Sequence, residues 1–130
     1  MRTAAIIFFS TLATLFATTA NAGSFGQTTL RAGFSPDPHV QPLTAGGGNS
    51  ASNWGSSCRG YIASQPDYTL YYTAGSMPLY INADSDRDTT LVVRAPDGRI
   101  YCDDDGADAP LNPRLIWNRP MSGQYQIWVG

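Results

Sequence analysis

Through the second half of the chain, apolar residues recur at every second position. Residues 78–83 put Leu79, Ile81 and Ala83 on one side and Tyr80 and Asn82 on the other; residues 89–95 set Leu91 and Val93 against Val92 and Arg94. Residues 124–129 align Tyr125, Ile127 and Val129 opposite Trp128. A period of two marks a strand with one face in a core. Tyr68–Thr73, rich in aromatic and β-branched types, is a further strand, and residues 29–34, 58–64, 99–102 and 114–118 are shorter candidates. Gln65-Pro66-Asp67, Ala74-Gly75-Ser76, Pro96-Asp97-Gly98 and residues 119–123 are turn signals between them. Beyond the first 22 residues no helical period is present, so the pattern predicts an all-β chain folded as an antiparallel β-sandwich or small barrel. The final strand reaches Gly130, and two readings stand: a sandwich ending at that strand, or one truncated before a further strand and left with an open edge.

The first half reads differently. Met1 to Ala22 has the form of a secretory signal peptide: Arg2 as basic head, an apolar stretch from Ala4 to Phe16, and Ala20-Asn21-Ala22 as an A-x-A cleavage site. The stretch is short for a membrane helix, which needs roughly 20 apolar residues. Residues 23–53 follow as an extended proline- and glycine-rich region. Pro36, Pro38 and Pro42 confine it to edge strand or loop, and residues 45–52 read as a flexible polar connector. Residues 54–130 carry the sandwich pattern, with 23–130 as one mature domain. Such a leader places the protein in the periplasm or outside the cell.

That placement gives the two cysteines a role. Cys58 and Cys102 match neither a zinc spacing nor a C-x-x-C redox motif. In an oxidising compartment they are expected to form a structural disulfide.

Charge excludes some partners. The chain has no lysine and no glutamate. Loss of Arg2 with the leader leaves seven arginines against ten aspartates, a net charge of −3. This balance provides no footprint for nucleic acid or anionic lipid. A protein or polysaccharide is the expected kind of partner.

The aspartates are concentrated around one predicted hairpin. Asp84, Asp86 and Asp88 precede its first strand, and Asp103, Asp104 and Asp105 follow its second. Neither cluster is an EF-hand: Thr89 stands where the loop glycine belongs, Ala95 where the closing glutamate belongs, and Arg114 closes the second cluster. A tight turn at Pro96-Asp97-Gly98 would bring both clusters to one end of the sandwich. There they form a candidate composite calcium site, with Arg59, Arg87 and Arg114 as the alternative means of neutralising them. A second candidate is an exposed aromatic face: on alternation, Tyr80 and Trp128 point away from the core and could stack on a sugar ring or a protein partner without metal. Catalysis has little support. His39 is the only histidine, no serine lies in a G-x-S-x-G elbow, and the paired carboxylates lie in turns.

The segment DRDTTLVVRAPDGRIYCDDDG, followed by SGQYQIWVG, resembles the bacterial pre-peptidase C-terminal (PPC) domain family over roughly residues 58–130. The matching features are Asp86 and Asp88 before a strand, the P-x-G turn, Asp103–Asp105 after the return strand, and Ser122-Gly123-x-Tyr125 in the last strand. The resemblance implies a jelly-roll-like β-sandwich that is exported and non-catalytic. It is related to the collagen-binding domains of clostridial collagenases, which bind calcium through acidic residues. The 130 residues themselves contain neither a peptidase pattern nor the acidic N-terminal segment from which those domains draw further ligands.

Overall fold

The computed structural model describes residues 2–9, 23–104 and 112–130. Among them are strands β1 (Arg2–Phe9), β2 (Gln27–Arg31), β3 (His39–Ala45), β4 (Asn49–Ser50), β5 (Tyr61–Ile62) and β6 (Tyr68–Thr73). Strands β7 (Leu79–Asp84), β8 (Leu91–Arg94), β9 (Ile100–Asp103), β10 (Arg114–Trp117) and β11 (Gly123–Val129) follow, and Ala51–Trp54 forms a 3-10 turn. A four-stranded sheet runs in the order β10-β7-β1-β3 and a five-stranded sheet in the order β2-β6-β11-β8-β9, with β4 and β5 as a separate ribbon. Pairing is antiparallel except between β2 and β6. The chain is therefore an all-β sandwich, as its period-two pattern predicts.

The faces follow the alternation. Leu79, Ile81 and Ala83 of β7 join Leu91 and Val93 of β8 and Tyr125, Ile127 and Val129 of β11 in the main core. Tyr125 is fully buried, so its hydroxyl must find a partner within the protein. It donates to the Met121 carbonyl at 2.6 Å, and burial pushes its pKa up to about 12. Pro42 lies in β3, an edge strand of its sheet, the kind of strand to which proline is largely confined.

Two segments depart from the sequence reading. Residues 45–52 are not a flexible connector: Gly46 N–H donates to the Val129 carbonyl at 2.9 Å, and the chain then enters β4 and the 3-10 turn. Gly47 runs so close to β5 that a Cβ there would sit 2.2 Å from the Ile62 backbone, which explains the glycine. This lobe covers the outer face of the five-stranded sheet. There Ala51, Cys58 and Ile62 bury Val92 and Trp128 in a second core, with Trp54, Ile100 and Cys102 packed around it. The expected Cys58–Cys102 disulfide is present and ties the lobe to β9, with Cα atoms 5.2 Å apart.

The other departure is β1. Residues 2–9 belong to the stretch read as a leader, yet they occupy an interior position in the four-stranded sheet. They pair with β3 from Arg2↔Ala45 to Phe8↔His39 and with β7 from Ala5↔Asp84 to Phe9↔Tyr80. Ala4, Ile6 and Phe8 enter the main core, whereas Thr3 is exposed. A leader requires hydrophobicity and a strand requires alternation with branched or aromatic residues; this run satisfies both.

Asp67 ends a turn and is buried. Its Oδ2 accepts the Val129 N–H at 2.8 Å and its own N–H donates to the Ile127 carbonyl at 2.8 Å. Desolvation raises its pKa to about 6, against the lowering effect of the Val129 bond. A carboxyl whose folded pKa is raised favours folding below its unfolded value of 3.8, and that contribution is lost as the pH climbs through about 6. Asp67→Asn keeps an acceptor oxygen but does not titrate. Its stability relative to wild type should therefore improve between pH 4 and pH 7 by roughly 2–3 kcal/mol in urea titrations; a difference independent of pH would contradict this assignment. The disulfide spans 44 residues, so its reduction should lower unfolding free energy by about 4 kcal/mol in the same assay.

Candidate functional site

The acidic end is built by the β8–β9 hairpin. Gly98 adopts a φ of 82°, which glycine tolerates without strain, and donates to the Ala95 carbonyl at 2.9 Å. Asp97 Oδ1 accepts the Arg99 N–H at 3.0 Å. The turn fixes the register Leu91↔Asp103 and Arg94↔Ile100. The residues just before β8 therefore lie beside those just after β9, so the described aspartates of the two clusters come to one end of the sandwich.

The clusters separate into distinct roles there. Asp88 and Asp104, one from each, line a cavity of about 100 Å³ with Arg59, Gly60, Thr89, Thr90 and Gly130. Asp84 and Asp103 instead hold the chain as it returns to β10. Asp84 Oδ1 accepts from Asn112 Nδ2 at 3.0 Å, and Asp103 Oδ2 accepts the Arg114 N–H at 2.8 Å. Asn112 in turn accepts the Ser85 N–H at 3.2 Å. Asp86 is exposed and does not line the cavity. Asp105 lies outside the described residues. Among the described residues, no group of three or more His, Cys, Asp or Glu side chains is arranged to hold a metal ion.

The candidate arginines also divide. Arg59 lines the cavity. Arg114 donates through Nε to Asn82 Oδ1 at 3.1 Å, and its guanidinium carbon lies 5.8 Å from the Tyr80 ring centre. The cavity's remaining walls were not legible in sequence. Thr89 and Thr90 follow Asp88 directly, but Gly60 and Gly130 arrive from distant parts of the chain.

The aromatic candidates have opposite fates. Tyr80 is half-buried on the outer face of β7, paired with Ile116, which is 47% exposed. Trp128 does point away from the main core, but it is only 2% exposed and so is not an outward binding residue. The lobe carrying Trp54 covers it: the indole rings stand 5.0 Å apart. The Arg94 guanidinium carbon lies 4.7 Å from the Trp54 ring centre and 5.9 Å from that of Trp128. Alternation identified the face, and the covering segment reversed its exposure. His39 packs beside Phe8, with ring centres 5.7 Å apart, and burial lowers its pKa.

Comparison with family models, curated proteins and solved structures finds no match for this chain.

Trp128→Ala should cost about 3–5 kcal/mol, the range for truncating a large aromatic in a core. Tyr80→Ala should cost clearly less. Urea denaturation of both variants checks the contrast, and equal losses would overturn the assignment of Trp128 to the second core.

Proposed function

We propose that this chain is an exported, non-catalytic β-sandwich module of PPC-like type, whose acidic end takes a calcium ion between Asp88 and Asp104. The reading is carried by the cavity at that end, which Asp88 from one arm of the hairpin and Asp104 from the other line together with Thr89 and Thr90. Two aspartates close together repel each other unless a cation lies between them. The aspartates and threonines of the lining can offer carboxylate, hydroxyl and main-chain carbonyl oxygens, the kind of donor that calcium takes at six to eight positions. Two carboxylates leave most of those positions to neutral oxygens and water, which fits the weak affinities of extracellular modules. Arg59 at the cavity wall is the competing neutraliser.

Export is supported by the leader-like N-terminus and by the Cys58–Cys102 bridge, a bond suited to an oxidising compartment. In the alternative reading, a carbohydrate or protein binds to an aromatic sheet face without metal. With Trp128 covered, that reading rests on Tyr80 and its neighbour Ile116.

Calcium titrated into metal-depleted protein should release or absorb heat with a dissociation constant of roughly 0.1–1 mM and raise the melting temperature. Asp88→Asn and Asp104→Asn should each remove both signals, while Asp86→Asn should leave them. Absence of heat and of any melting shift at about 5 mM calcium would exclude this metal site.

A further inference from the structure

The interior position of β1 conflicts with removal of the leader. Cutting after Ala22 would delete a strand hydrogen-bonded on both sides, between β3 and β7. Those strands are both antiparallel to β1 and therefore parallel to each other, about two strand spacings, or roughly 9–10 Å, apart. Their facing backbone groups would lose their partners, and the main core would lose Ile6 and Phe8, which are completely buried. An open channel with unpaired edges is a site for strand addition.

We propose that this channel is a strand-acceptor site, opened by leader removal and filled by an extended segment of a second polypeptide. The proposal rests on the exported reading given above. The seated β1 defines the donor's chemistry. Three alternate residues face the core, small at position 4, branched at 6 and aromatic at 8, and each is at most 4% exposed. A charge at the central one would be buried without a partner, so the donor is uncharged on that face. Ala5 and Ile7, on the other face, are only half-buried and tolerate wider choice. The donor runs antiparallel to β3 and β7, in the direction of β1. Its first residue lies opposite Ala45, next to Gly46, which is bonded to Val129; the start of the channel is thus close to Gly130.

The test begins with the full chain expressed with its own N-terminus in an exporting bacterium. The exported protein is collected and its mass read, with a chain starting at Gly23 expected. A synthetic peptide of residues 2–9 carrying terminal lysines for solubility is then titrated into it. Saturable binding and a melting rise of roughly 5–10 °C are expected, and Ile6→Asp in the peptide should weaken binding at least tenfold. If the processed chain does not fold alone, a form with residues 2–9 joined after Gly130 through a Gly-Ser linker should regain a cooperative melt, and its Ile6→Asp counterpart should not. Retention of Met1 in the exported protein overturns the proposal by showing that β1 stays, and so separates failure of the leader reading from failure of the acceptor site. A processed chain that folds and ignores the peptide overturns it directly. So does one that assembles with its own copies and refuses the peptide, or a tethered form no more stable than the untethered one.

Discussion

Burial of β11 on both faces is the constraint on which the rest of the structure depends. One face places Tyr125, Ile127 and Val129 in the main core; the other places Trp128 in the second. A strand slipped by one residue would send an indole into a space shaped for isoleucine and valine, and aliphatics under the lobe. The register is therefore strongly fixed. Three otherwise separate segments also bond to its C-terminal end: Asp67 through its carboxylate, Gly46 through its amide and Thr90 through both amide and carbonyl. The lobe, the turn before β6 and the start of β8 are thereby held around one strand end, which is also where Gly130 forms part of the cavity wall.

Much of this was legible because it is local. The strand at 68–73, the faces of β7 and β8, and the tight turn at Pro96-Asp97-Gly98 all follow from short-range rules, and the convergence of the aspartates follows from the hairpin. Trp128 shows where such rules stop. Its direction relative to the strand is a local property, but its exposure depends on residues 51–62, which are far away in sequence and read there only as the end of a connector and a short strand. Gly47 resembles linker for the same reason. A residue chosen so that two backbones can touch has the same letter as one chosen for flexibility. Residues 2–9 are ambiguous at a deeper level, since a membrane-directed apolar run and a buried strand draw on the same side chains.

The acidic end illustrates how a charge cluster is divided by its surroundings. Asp84 and Asp103 are committed to amide donors from the segment leading into β10, a use that stabilises carboxylates without metal. Only after those two are assigned does the pair at the cavity stand out. In sequence all six aspartates look equivalent; the difference lies in which of them meets the returning chain.

The disulfide also has a consequence beyond its contribution to stability. Cys102 is the residue immediately before Asp103 in β9, and Cys58 immediately precedes Arg59. The bond therefore joins two cavity walls that are distant in sequence, one carrying Asp104 and the other carrying Arg59 and Gly60. With the thiols reduced, those walls lose the covalent link between them. Oxidation thus acts as a latch on the geometry of the acidic end, so that the shape of the cavity is coupled to the redox state of the two sulfurs.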